Sequence, residues 1–200
     1  MKIKNIFLLL LFAFTLNSVF AQLRFGPVID MGYSAYATKG DSITLKGGIS
    51  PSFGVTAEKY AAYWLSMRVT ALYSFKTLTT TRVNNNVTDI MNGQFFDLCL
   101  AGRFSNFDDE SNKLPYALAG LGTAFNVVTK GQEKYMRGSA YNSSLPYFTL
   151  GAGMGFKVSF FSEIDLSLNF ARYLLPAFSI PIENKDAKLN HFSLRLTGLF

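Results

Sequence analysis

The sequence predicts an all-β fold, an eight-stranded antiparallel up-and-down transmembrane β-barrel that follows an N-terminal signal peptide. Three observations carry this. Apolar residues alternate with polar or small ones at period two in one segment after another. The 200-residue chain is 49% hydrophobic and 16% aromatic but only 16% charged, where a soluble domain has about a quarter of its residues charged. Beyond its first residues the chain has no run near the roughly 20 apolar residues a spanning helix needs, so the excess apolar surface belongs to strands. Disorder, coiled coil and collagen are excluded by the same composition, in which 20 Phe and 10 Tyr outnumber the 19 Lys and Arg.

Each element has its own signal. Lys2 and Lys4, the apolar stretch Ile6 to Leu16 and the small-residue site Val19-Phe20-Ala21 read as a signal peptide, residues 1–21, cleaved before Gln22. Residues 22–200 then form one barrel domain. Strands are expected at 24–36, 47–58 and 61–75. In the last of these Tyr63, Leu65, Met67, Val69, Ala71, Tyr73 and Phe75 oppose Ser66, Arg68, Thr70 and Ser74. The segment 95–104 sets Phe96, Leu98, Leu100 and Phe104 against Asp97, Cys99, Ala101 and Arg103. A fifth strand follows at 115–127. Residues 147–158 set Phe148, Leu150, Ala152, Met154, Phe156 and Val158 against Tyr147, Thr149, three glycines and Lys157. In 163–173, Ile164, Leu166, Leu168 and Phe170 oppose Glu163, Asp165, Ser167 and Asn169. The last strand, 191–200, sets Phe192, Leu194, Leu196, Gly198 and Phe200 against His191, Ser193, Arg195 and Thr197. Pro27, Pro51, Pro115 and Pro146 fall near strand beginnings, and Pro51, awkward in a barrel without a free edge, is read as marking a bulge.

The charges decide which face is inside. Asp30, Glu58, Arg68, Asp97, Arg103, Lys157, Glu163, Asp165 and Arg195 all share the non-apolar face. A soluble lipocalin-like barrel or β-sandwich would turn the Phe and Leu ribbon inward and these charges to water, and would carry more surface Lys and Glu. The membrane barrel places them in its lumen. Eight strands leave room only for side chains, so the charges are expected to neutralise one another as a structural network, which argues against a general diffusion pore.

The connections alternate. Gaps near 37–46, 76–91, 128–144 and 174–188 are long and polar, those at 58–60 and 159–162 are tight, and 105–114 is the one long turn at the tight end. This puts both termini of the mature chain on the periplasmic side of an outer membrane and the long gaps outside. Those outer gaps hold Lys39, Lys46, Lys76, Arg82, Lys130, Lys134, Arg137, Lys185 and Lys188 against Asp41, Asp89, Glu133, Glu183 and Asp186. With a pI near 9.4, the excess of bases points to outer-membrane lipid and lipopolysaccharide as partners and not to nucleic acid. On the inner side Asp108, Asp109 and Glu110 form an acidic turn, a candidate contact for a protein partner.

The pattern as a whole resembles the PorT-type small outer-membrane β-barrel proteins of Bacteroidota, OmpX-like in strand number. The resembling segments are "FGVTAEKYAAYWLSMRVTALYSFKT", "PYALAGLG", "LGAGMGF" and the aromatic C-terminus. It departs at "TALYS", where Thr70 and Ala71 stand in place of that family's usual glutamate. The resemblance implies an outer-membrane location, use of the barrel-assembly machinery, and a structural or interaction role as an accessory of type IX protein secretion. No catalytic residue, cofactor or metal is expected, since one histidine and one cysteine cannot furnish a multi-ligand site. Two alternatives stand beside the non-enzyme reading. His191-Phe192-Ser193 resembles the His-x-Ser arrangement of lipid A deacylases, although no acid follows to orient the imidazole. A small ion-conducting barrel is the other.

Overall fold

Period-two alternation becomes, in three dimensions, a wall with two chemically opposite sides. The computed structural model describes residues 23–37, 43–82, 88–106, 112–131, 141–158, 163–180 and 185–200. The expected signal peptide, 1–21, and the acidic turn Asp108, Asp109 and Glu110 lie outside the described residues. Nine strands are present among them: β1 (Leu23–Ala37), β2 (Ile43–Ala62), β3 (Leu65–Arg82), β4 (Thr88–Phe104), β5 (Lys113–Gly131), β6 (Ser144–Phe156), β7 (Glu163–Tyr173), β8 (Phe178–Ile180) and β9 (Lys185–Leu199). Each long strand pairs antiparallel with the next long one, and β1 pairs antiparallel with β9, from Val28↔Thr197 to Ala37↔Lys188. Eight strands therefore close an up-and-down barrel, as expected. The start of β1 and the last residue meet at one rim, where the Phe200 amide donates to the Phe25 carbonyl at 3.0 Å.

The prolines show how the closed wall tolerates missing donors. Pro51 pairs with Met31 of β1, while on its other side the β2–β3 register breaks between Gly47 and Ser52. The bulge read from the sequence is there. Pro27 faces Val55 of β2, but β9 pairing begins only at Val28. Pro115 and Pro146 likewise pair on one side each, with Met154 and Thr123, and lie just past the end of pairing on the other. Each proline thus sits where one neighbour makes no demand on its nitrogen.

The strands run further than the apolar pattern marks. β2 starts at Ile43, β3 continues to Arg82 and β4 begins at Thr88, so much of the expected outer gaps 37–46 and 76–91 is paired strand. Thr77 to Thr81 pair with Asn92 to Thr88, a ladder of mostly β-branched and polar residues around the buried Leu78–Met91 pair. Threonine favours extended backbone whatever lies beside it, so pairing persists after the apolar face has ended. The expected gap 174–188 also contains β8, which pairs with the first residues of β9.

The two sides of the wall follow parity. Along β1 the burial alternates without interruption from Leu23 to Tyr36, with Leu23, Phe25, Ile29, Met31 and Tyr33 outward and exposed. Phe96, Leu98, Leu100 and Phe104 of β4 and Phe192, Leu194 and Leu196 of β9 are exposed in the same way. The charged and hydroxyl-bearing partners of these residues line the inside.

Candidate functional site

The lumen is where the sequence concentrates its chemistry, and strand register decides which charges meet there. Arg24, Glu58 and Arg68 lie directly across β1, β2 and β3 from one another. At the rim where β1 starts and β9 ends, Glu58 accepts from Arg24 Nη2 at 2.7 Å, from Arg68 Nε at 2.7 Å, from Arg103 Nη1 at 3.2 Å and from Ser66 Oγ at 2.8 Å. Glu163 of β7 accepts from Arg24 Nη1 at 2.8 Å and from Arg103. Asp165 faces Arg68 and lies 3.4 Å from Arg103. Three guanidinium groups and three carboxylates therefore form one neutral, interlocked network. The Arg103 guanidinium also lies 4.1 Å over the Tyr116 ring, and Arg24 lies 4.6 Å over Tyr60.

Further along the lumen are two separate pairs. Asp30 and Arg195 are register partners on β1 and β9, and Arg195 donates through Nε at 3.0 Å and Nη2 at 2.7 Å, both to Asp30 Oδ2. Lys76 Nζ lies 3.1 Å from Asp97 Oδ2, which Ser74 also binds. Between these pairs is a cavity of about 30 Å³ lined in part by Asp30, Asp97, Tyr147, His191 and Ser193. It holds one or two water molecules at most. Asp30 Oδ1, Asp97 Oδ1 and Ser193 Oγ have no hydrogen-bond partner among the described residues, the kind of group that enclosed water satisfies.

The far end is closed differently. Tyr36, Leu78, Met91, Phe95, Tyr141, Leu145, Tyr147, Tyr173 and Leu189 form a buried apolar and aromatic layer. Tyr141, from the segment that enters β6, meets the Tyr36 hydroxyl at 2.7 Å and packs edge-on against Phe95 with centroids 5.0 Å apart.

Of the expected lumen charges, the structure places Asp30, Glu58, Arg68, Asp97, Arg103, Glu163, Asp165 and Arg195 inside the barrel. Lys157 is a correction: it is exposed, just past the end of β6, where the strand no longer holds its side chain to the inner face. Lys76 is a second correction. It belongs not with the outer-gap bases but inside, 2% exposed, because β3 carries the inward parity of Ser74 one step further. Arg24 was missed as well, although it shares the parity of Asp30. Part of the aromatic layer lies outside the expected strands: Leu78, Met91 and Tyr141 fall in the expected gaps 76–91 and 128–144, and Leu145 precedes the strand expected from 147.

His191 and Ser193 both face inward, but the geometry does not join them. His191 Nδ1 lies 3.3 Å from Ser34 Oγ, which is 2.6 Å from Ser50 Oγ. The imidazole lies over Gly32, where any Cβ would collide with its ring. Among the described residues no carboxylate hydrogen-bonds to His191, and the nearby Asp30 is taken by Arg195. No group of three or more His, Cys, Asp or Glu is placed to hold a metal ion among the described residues.

No protein-family model and no curated protein sequence matches the chain. Solved structures do. The fold is similar to the crystal structure of the outer membrane protein OprG from Pseudomonas aeruginosa, with a TM-score of 0.59 and 10% identity over 90% of this chain and 93% of that one. It is also similar to Neisserial surface protein A, NspA, with a TM-score of 0.50 and 13% identity over 90% and 99% of the two chains. At these identities the likeness is one of fold, the closed antiparallel eight-stranded barrel.

Proposed function

We propose that this protein spans the outer membrane of a bacterial cell as a plugged, non-enzymatic β-barrel that acts as a structural or interaction protein. The observation that carries the reading is the inverted polarity of the wall: a buried, charge-neutral ionic lumen inside an exposed ring of Phe, Leu, Ile and Met. Burying those ions makes sense only if the outer face meets something more apolar than water. The dimensions agree. The outward apolar residues of β1 run from Leu23 to Tyr33, about 33 Å along the strand at roughly 3.3 Å per residue. A tilt of about 40° reduces this to about 25 Å, the height of an outer-membrane apolar band.

With the lumen filled at both ends, the work falls to the rims. Barrel-assembly machinery inserts the chain, both mature termini lie in the periplasm, and outer-membrane lipid and lipopolysaccharide surround it. The PorT-type resemblance gives the interaction role its concrete form, an accessory of type IX secretion that contacts secretion-machinery proteins through the periplasmic turn bearing Asp108, Asp109 and Glu110. The test is affinity capture from detergent-solubilised outer membranes, using the intact protein and a variant with those three residues changed to Ser. Secretion components captured by the first and lost by the second support the role, whereas identical captures overturn it. Lipid A mass spectra from the same cells address the hydrolase alternative. His191→Ala and Ser193→Ala leave the acyl pattern unchanged on this reading, and restored acyl chains in both would establish an enzyme instead.

A further inference from the structure

One stretch of the outer wall is not evenly covered. A groove of about 650 Å³ crosses β1, β9, β7 and β6, walled by Met31, Tyr33, Phe192, Phe170, Leu168 and Leu150, a size within the roughly 300–1,000 Å³ range of small-molecule sites. Its lining is almost wholly apolar. Four adjacent strands at about 4.8 Å per interval make it about 14 Å wide, broad for one acyl chain and suited to several lying in parallel.

The rim above this groove is cationic. Phe170 and Phe192 are register partners with ring centroids 4.8 Å apart. One step further towards the far end on the same outward face, Arg172 of β7 pairs with Asn190 of β9, and Lys188 follows two residues on. Both cations are exposed, and among the described residues neither has an ion-pair partner. Two residues of strand is about 7 Å, so the charges stand where the apolar band gives way to headgroups. A headgroup phosphate at that level is attracted by both cations.

We propose that this groove and its two cations form a binding site for a phosphorylated, multiply acylated glycolipid of the lipid A class. Its acyl chains lie between Leu150 and Met31, and a sugar phosphate bridges Arg172 and Lys188. The site rests on the membrane-barrel reading and names which lipid partner is held and where. The width argues for several chains on one headgroup rather than a two-chain phospholipid, and the paired cations argue for a phosphate rather than a neutral sugar.

The test is native mass spectrometry of the purified full barrel in detergent, titrated with bisphosphorylated lipid A, with its dephosphorylated form and with phosphatidylglycerol. Arg172→Gln combined with Lys188→Gln is expected to weaken bisphosphorylated lipid A binding about tenfold or more. Leu168→Trp, which fills the groove and keeps the charges, is expected to weaken it too. Lys59→Gln combined with Lys113→Gln makes the same charge change at the opposite end of the barrel and is expected to leave binding within about twofold, below 1 kcal/mol. Equal loss in that control pair, no loss in Arg172→Gln/Lys188→Gln, or phosphatidylglycerol binding as tightly as lipid A would each overturn the site. The measurement uses purified protein, so it fails or succeeds independently of where cell fractionation places the chain.

Discussion

Glu58 is the residue on which the charge balance of the lumen turns, because three arginines and a serine converge on its two oxygens. Glu58→Gln leaves three guanidinium groups facing two carboxylates in a site closed to water. Breaking a buried pair from one side costs about 3–5 kcal/mol, a loss that denaturant unfolding of the barrel in lipid or detergent will read. Lys157→Gln, at an exposed position, is expected to stay within about 0.5 kcal/mol. Equal effects would show that the network does not stabilise the barrel. Most of these residues were legible from parity alone: Glu58, Arg68, Asp97, Arg103 and Asp165 fall opposite the apolar residues of their strands. Parity failed where strand ends were misplaced. Lys76 lies one residue beyond the expected end of its strand at 75, and Lys157 lies one residue beyond the real end of β6.

At the scale of the strand, alternation predicts what each face tolerates. Leu100 of β4 is exposed midway along the outward apolar run, opposite Val69 and Leu121, and Leu100→Arg is expected to destabilise the inserted barrel by about 2–4 kcal/mol. Asn92→Arg, on the same face near the far rim, should cost at most about 1 kcal/mol. A depth-independent cost would mean that the outward face of β4 does not cross lipid. The inward glycines of β6 are a second case. A Cβ at Gly153 would come within 2.6 Å of the Tyr116 ring, so Gly153→Ala forces that ring off the wall and costs about 1–3 kcal/mol by the same unfolding assay. The sequence showed the glycines but not the ring from β5 that faces Gly153. It also hid where β2, β3 and β4 end, because threonines and other polar residues dominate there and only isolated apolar residues such as Leu45, Leu78, Ile90 and Met91 interrupt them, while backbone pairing continues. Tyr73 donating to Gln94 at 2.7 Å and Thr77 to Asn92 at 3.0 Å are the side-chain traces of that pairing.

For the molecule as a whole, strand number and packing set the function. Eight strands bring the walls close enough for an ionic layer at one end and an aromatic layer at the other, with a cavity of only about 30 Å³ between the Asp30–Arg195 and Lys76–Asp97 pairs. The purified protein is therefore expected to give no regular conductance steps in a planar bilayer, and stable unitary steps would contradict a plugged lumen. Closure, strand number and face polarity were readable from period-two alternation and connection lengths, whereas the aromatic layer was readable only in part: Tyr36, Phe95, Tyr147 and Tyr173 lie in the expected strands, but Leu78, Met91 and Tyr141 lie in the expected gaps. The central claim is that the apolar face looks outward into lipid. It is tested most directly by a nitroxide scan of residues 95 to 104 in a Cys99→Ala background, with the barrel reconstituted in bilayers and accessibility to oxygen read at each position. An accessibility of period two is expected, high at 96, 98, 100 and 104 and low at 97, 99, 101 and 103. An inverted pattern, or one without dependence on bilayer depth, would contradict it.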